Sequence, residues 1–393
     1  MPTSPFQPLH AAMQSQVDRG FLPGVSTVLL RGREVVDRFV CGQADREAGV
    51  PLREDHLFRV FSNTKLLTSC AVLLLMEDGK LAMSDPIERY IPELGNRQVL
   101  RPGATRIDDV EPARRSITVE HLMTHTSGLV YGAFDPGTLM FNAYTQAGVH
   151  NPLLTNAQMV EKLAALPLGF HPGEQWEYSM ATDVLGRLVE VVSGQSLGDF
   201  FQQRICAPVG MVDTAFWVTP EKRERLAALY GGVDLLDPTK PGLKRMDDAP
   251  FPGAYSSPKL RQSGGGGLVS TLDDTVRLVQ ALMPGDGPTL LKPETLALMS
   301  RNHLAPGQCV KFVNMPVNPG RVFGLGSSVL VKPSAIDPPA ATDEVSWGGL
   351  AGTMWWFNPR LNIAGVLMTQ RYFGYGNPYC FEFKHLAYKG FGY

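Results

Sequence analysis

Residues 57–65 read Leu-Phe-Arg-Val-Phe-Ser-Asn-Thr-Lys, and the chain continues as Leu66-Leu-Thr-Ser-Cys-Ala-Val-Leu-Leu-Leu-Met76 before Asp78-Gly79. The apolar run predicts a helix, and Asp78-Gly79 supplies its stop. Ser62 opens that helix, so Lys65 returns to the same face one turn later, within reach of the hydroxyl. The helix start offers free N–H groups and a positive dipole end, both suited to an oxyanion. Apolar surroundings disfavour the ammonium form of a lysine, which leaves an amine able to take a proton. A second Ser-x-x-Lys stands at Ser256–Lys259, where Pro258 interrupts any helix and leaves the lysine in no fixed relation to the hydroxyl. Context, not the tetrapeptide, separates the two copies.

Moving outward, residues 7–20 read as a short helix with Leu9, Met13 and Val17 at fourfold spacing. Gly24–Arg31 and Glu34–Cys41 then form two apolar strands around Arg31-Gly-Arg33, a β-hairpin pattern. Beyond residue 77, helical stretches are expected at about 118–124, 157–165, 182–193, 196–204, 270–283 and 293–300. Two long loops separate them: 131–156, unusually apolar, and 230–267, rich in Pro, Gly and Asp. The last part returns to strands at Gly324–Val331, Ala351–Phe357 and Ile363–Gln370, then a terminal segment around Phe381–Tyr388. Strands at both ends with helices between predict an α+β fold. One sheet is expected from both termini, with a mainly helical domain inserted. The expected division is 1–61 with 310–393 for the sheet domain, and 62–309 for the helical one with its long active-site loops.

Composition excludes several classes. With 44% hydrophobic and 19% charged residues the chain is an ordinary globular one, not a disordered one. Lys+Arg at 36 against Asp+Glu at 38 leaves a net charge of −2, so no nucleic-acid partner is expected. No apolar run approaches a membrane span, and the start lacks the basic-then-apolar order of a secretory signal. Five scattered cysteines without a Cys-x-x-Cys pair argue for a reduced, cytoplasmic compartment and against a thiolate metal site. His121 and His125 stand at i, i+4 but without the glutamate order of a zinc helix, so a capped turn is expected there and no metal. Gly194-Gln-Ser196-Leu-Gly198 matches a nucleophile elbow in letters only. Helical spacing precedes it, so Ser196 reads as the N-cap of the next helix.

Further blocks follow Ser62-x-x-Lys65 in order. They are Ile117-Thr-Val-Glu-His-Leu-Met-Thr-His-Thr-Ser-Gly128, Pro172-Gly-Glu-Gln-Trp-Glu-Tyr-Ser179 and Pro208-Val-Gly-Met-Val-Asp-Thr214. After these come Gly264–Leu268 with Ser270-Thr271 and Asp273-Asp274, and finally Trp347-Gly-Gly349. Over residues from about 20 to about 370 the chain resembles the serine β-lactamase and penicillin-binding-protein superfamily. Within it, the chain is most similar to the family VIII carboxylesterases, which are like class C β-lactamases. The resemblance implies a β-lactamase-like α+β fold, an antiparallel sheet flanked by helices plus the helical domain, with the site in the cleft between them; no cofactor is expected. It implies Ser62 as acylated nucleophile, Lys65 as activating base and Tyr178 as the residue passing protons between Ser62 and the leaving group. It further implies an oxyanion hole from the backbone N–H groups of Ser62 and Leu350.

Two positions depart from the β-lactamase pattern. Met180 stands where an amide-orienting asparagine is expected, and Trp347 where a lysine would bind a substrate carboxylate. Trp347, Gly348 and Gly349 follow the esterase pattern and, with Met180, are expected to contact substrate. So are Tyr131, Phe134, Phe141 and Tyr144, if loop 131–156 folds over the cleft as the resemblance implies. The expected function is hydrolysis of neutral short- to medium-chain carboxylic esters, with acyl transfer to alcohols as a variant; the expected partner is a small-molecule ester, with neither nucleic acid nor membrane, and the oligomeric state is left open. A β-lactamase, D-amino peptidase or amidase, and a catalytically silent scaffold, remain as alternatives. Arg371 is left open as a source of the missing charge.

Overall fold

The computed structural model describes residues 4–235, 237–312 and 317–393; Met1–Thr3, part of the chain start read above, lie outside them. Two ends of the chain meet in one eight-stranded antiparallel sheet. Its strands are β1 (Gly24–Arg31), β2 (Glu34–Asp45), β3 (Val50–Pro51), β4 (Arg321–Phe323), β5 (Ser328–Leu330), β6 (Glu344–Gly348), β7 (Met354–Asn358) and β8 (Ile363–Thr369). The order across the sheet is β4-β5-β6-β7-β8-β1-β2-β3. The seam between the two ends is the β1/β8 ladder, from Val25 opposite Thr369 to Arg31 opposite Ile363.

Successive side chains alternate between faces, so each strand feeds two cores. Trp356, Ile363 and Leu367 face a smaller cluster covered by α1 (Gln7–Asp18) and the C-terminal helix Pro378–Gly390. Trp355, Phe357, Ala364 and Val366 face the large cluster, which also contains the helices of residues 64–299. The register against β2 shifts between Leu29 and Leu30, where β2 carries Val36 as an extra residue, while Val28 and Leu30, two residues apart on β1, keep the same face. At the centre of the large cluster is α2 (Thr64–Glu77), buried from Thr64 to Leu75 on every side, as a helix apolar all round must be.

Three expectations change. The segment around Phe381–Tyr388 is not a strand but part of the helix Pro378–Gly390, started by Asn377 and Pro378. Its buried Tyr379, Phe383 and Ala387 recur every four residues, which is helical spacing. Residues 131–156 are not all loop, because α3 (Leu139–Ala147) forms there between a Thr138 N-cap and a left-handed Gly148. Gly324–Val331 is not one strand: Gly324 and Gly326 turn the chain between β4 and β5, with the Gly324 N–H donating to Ser327 O at 2.8 Å. β6, which carries Trp347 and Gly348, had no sequence-level strand assignment. Among the described residues no helix is long and apolar enough to cross a membrane.

Candidate active site

Ser62 sits in a 3₁₀ turn (Phe61–Asn63) that leads directly into α2. The turn is clamped from behind. Phe58–Arg59 pairs antiparallel with Val269–Ser270, and Asn63 N–H donates to Val60 O. Phe61 carries a positive φ of 43°, a conformation uncommon for a bulky residue and costly without surrounding support. Ser62 Oγ lies 2.7 Å from Tyr178 Oη and 3.4 Å from Lys65 Nζ. Lys65 is buried; its Nζ donates to Gly265 O at 2.6 Å and sits 4.7 Å from the Tyr178 ring centre and 5.7 Å from that of Tyr131.

Tyr178 is delivered by the segment before α4 (Ala181–Ser193). The Glu177 N–H donates to His125 O at 2.9 Å and the Met180 N–H to Val130 O at 3.2 Å. His125 Nδ1 accepts from the Ser179 N–H at 3.3 Å, with the Ser179 hydroxyl 2.9 Å away. Complete burial, reinforced by the charge of Lys65, holds the His125 imidazole well below its ordinary pKa and therefore neutral. His121 acts in a different way and completes a capping box with Thr118. Among the described residues no three His, Cys, Asp or Glu side chains are grouped to share a metal. Ser196 accepts from the Asp199 N–H as the N-cap of the helix Leu197–Phe201, following the left-handed Gly194.

Ser62 opens onto a cavity of about 520 Å³, within the usual range for small-molecule sites. Tyr131, Phe134, Tyr178, Trp347, Gly348 and Leu350 are in its wall. The turn after β6 brings Leu350 to Ser62: the Gly349 N–H donates to Thr353 O at 2.7 Å, and any Cβ on Gly349 would collide with Val60 O. Trp347 packs among Tyr178, Phe323, Phe312 and Tyr375 at centroid separations of 5.3–6.2 Å.

Four expected contacts lie elsewhere. Met180 is 2% exposed and faces the large core, because its backbone begins α4 and its side chain follows the helix inward. Gly349 supports the turn without lining the cavity. On α3, Tyr144 points into the core beneath the loop and accepts from the Val130 N–H at 3.4 Å; Phe141 sits on the helix flank, outside the cavity wall. Arg371 is buried against Phe21, donating to its carbonyl, and supplies no charge to the cavity. Conversely, Phe61 joins the wall beside Ser62, and Tyr255, Phe312 and Tyr375 join it from distant parts of the chain, as does Arg261. No local pattern marks them. The burial of Tyr375 pushes its phenol up to about 12, so it enters the site as a neutral apolar surface.

Comparison with known proteins gives the same picture across the chain. A Mycobacterium tuberculosis protein, Rv1367c, is 35% identical over 92% of this chain and 89% of its own length. The esterase EstB of Burkholderia gladioli is 33% identical over 97% of this chain and 94% of its own. Among solved structures, "EstCE1, a hydrolase with promiscuous acyltransferase activity" superposes with a TM-score of 0.82 at 26% identity, covering 97% of this chain and 98% of that one. Residues 9–386 match the family described as Beta-lactamase, and with a Ser62–Lys65–Tyr178 constellation on the matching fold, the chain belongs to the beta-lactamase family.

Proposed function

We propose that the chain is a serine carboxylesterase acting on neutral short- to medium-chain esters through an acyl-enzyme on Ser62. The observation that supports this most is the convergence of Tyr178 Oη and Lys65 Nζ on Ser62 Oγ in the wall of an aromatic cavity. In this reading Ser62 Oγ attacks the ester carbonyl carbon while its proton passes to the Tyr178–Lys65 pair. The N–H groups of Ser62 and Leu350 receive the carbonyl oxygen as it becomes an oxyanion, each contributing about 3 kcal/mol. Tyr178 then protonates the departing alkoxide, the alcohol leaves, and Ser62 carries the acyl group. Water attacks that acyl carbonyl and loses its proton to the same pair; the acyl–Oγ bond then breaks, the carboxylic acid leaves, and the pair returns the proton to Ser62 Oγ.

Substrate class follows from what the walls offer. Trp347 presents an indole where a cation would hold a carboxylate, and Met180 in the core leaves no amide at the cleft. Each acyl methylene buried between Tyr131, Phe134 and Trp347 contributes up to about 0.8 kcal/mol until the space is filled. The test is kcat/KM for p-nitrophenyl esters from acetate to laurate beside nitrocefin on one preparation. A nitrocefin value at or above the best ester value would overturn the esterase reading in favour of a β-lactamase. A serine-reactive phosphonate should add to Ser62, and the adduct should be absent from Ser62→Ala.

Acyl transfer to an alcohol is the second reading. It is supported by the described acyltransferase activity of EstCE1 and by apolar walls that solvate an alcohol better than water. Added butanol should divert the butyryl enzyme to butyl butyrate without slowing p-nitrophenol release.

A further inference from the structure

Arg261 is the only Arg, Lys, Asp or Glu side chain among the described residues in the wall of the Ser62 cavity. Its backbone N–H donates to Pro152 O at 2.8 Å, and its Nη1 to Val149 O at 3.0 Å and Asn151 O at 3.5 Å. These bonds fix the guanidinium against residues 149–152 but engage one of its three nitrogens. Arg33, whose role is structural, engages all three with backbone carbonyls. Buried Arg59 and half-buried Arg321 have carboxylate partners in Asp247 and Asp337, whereas no carboxylate of the described residues pairs with Arg261.

Three nitrogens of this wall, Arg261 Nε, His150 Nε2 and Trp347 Nε1, are buried without a hydrogen-bond partner. Burial, with Arg261 adding to it, keeps the His150 imidazole below its ordinary pKa, so it brings no charge of its own. Asp183, whose charge also reaches His150, is occupied by the Ser263 hydroxyl at 2.5 Å and the Gly265 N–H at 3.3 Å. A guanidinium without a carboxylate partner in the wall of an aromatic, weakly screening cavity attracts an anion more strongly than one in open solvent.

We propose that Arg261 forms an anion subsite of the Ser62 cavity, so that the enzyme takes esters carrying a carboxylate set away from the reacting carbonyl. The proposal rests on the esterase reading and extends its substrate class. Tyr131 sets the spacing: its ring centre is 5.3 Å from that of Tyr178, which holds Ser62, and 6.1 Å from that of His150, beside Arg261. A carboxylate directly beside the scissile bond would not span those two steps. One separated by several methylenes or a ring would. The charge lost at Trp347 is thus supplied by a different segment, and neutral esters remain substrates without this anchor.

The test compares each acid with its methyl-capped neutral counterpart, so that shape is held and charge is changed. One arm carries the charge on the acyl side, as 4-nitrophenyl hydrogen esters of succinate, glutarate and adipate. The other carries it on the alcohol side, as 4-(butyryloxy)benzoate. The acid-to-neutral ratio of kcat/KM should exceed that of Arg261→Gln at least tenfold in one arm, mainly through KM. Arg261→Lys should restore part of it. Loss of the 149–152 contacts alone would lower acid and neutral substrates together. A ratio that does not change in either arm therefore overturns the subsite, even if activity falls. Turnover of none of these esters by the unaltered chain would instead overturn the esterase reading. Calorimetry with the non-hydrolysable glutarate monoanilide then decides the subsite separately: binding lost in Arg261→Gln keeps it, and equal binding removes it.

Discussion

At the scale of single residues, Ser62, Ser196 and Ser256 have similar local motifs and very different surroundings. Ser62 has Tyr178 at 2.7 Å, whereas Ser196 caps a helix and Ser256 donates to a loop carbonyl. Ser62→Ala should lower kcat by about 10⁶, the scale of removing a catalytic serine from a triad. Ser196→Ala should keep kcat within about threefold and cost about 1 kcal/mol as a lost cap; steady-state kinetics and urea unfolding read both. Lys65→Arg should be nearly inactive, since a guanidinium keeps the charge but takes no proton. His125 acts through Tyr178 and gives a pH signature. Its folded-state pKa is depressed, so unfolding takes up a proton below about pH 6.5, the unfolded value. Its contribution is complete above that pH and falls by about 1.4 kcal/mol per pH unit below it. His125→Asn, which tolerates the positive φ of 57°, should flatten the stability profile between pH 6.5 and 5 relative to the unaltered chain. Equal slopes in urea titrations would remove this role.

Among the elements, α3 and the loop before it decide the shape of one cavity wall. Gly132 has a φ of 64°, and a Cβ there would lie 2.7 Å from the Tyr144 ring. Tyr144 is therefore the support on which residues 131–134 rest, even though it touches no substrate space. Gly132→Ala should displace Tyr131 and Phe134 and lower kcat/KM for p-nitrophenyl butyrate roughly ten- to hundredfold, the scale of a 1 Å misplacement. The thermal midpoint should fall only modestly, because the loop lies above the core. Unchanged kinetics in the substituted chain would show that the loop does not shape the site. Thr138 and Gly148 bracket α3 with ordinary cap signals, so this helix is legible in residues 138–148. The aromatic residues at 131, 134 and 141 mask those caps, because together they read as one apolar loop.

For the whole molecule, the sheet and the helices of residues 64–299 share the large core, from Val28 and Trp355 to Leu73 and Val184. Unfolding followed by circular dichroism and by tryptophan fluorescence should therefore coincide in a single transition. The C-terminal helix closes the opposite face of the sheet and places Lys384 against the fully buried Glu344 at the start of β6. Lys384→Met would strand that carboxylate and should cost about 3–5 kcal/mol, with Lys384→Met/Glu344→Gln recovering part of the loss.

The sequence by itself determined what depends on neighbours along the chain. The Ser62–Lys65 turn, the apolar α2, the first hairpin and the Ser196 cap rest on spacings of a few residues, and the ordered blocks through Trp347 carry the family resemblance. The pairing of both chain ends in one sheet was also legible, because strands flank a long helical stretch. The tertiary structure alone decided which of the marked residues face the cavity. Side-chain direction follows the exact phase of a helix or strand, so Met180 and Tyr144 turned inward and Phe141 aside. It also decided that Tyr255, Phe312 and Tyr375 stand in one wall, and that Arg261 rather than Arg371 brings a charge to it. Long-range packing sets those neighbours, and no local spacing encodes it.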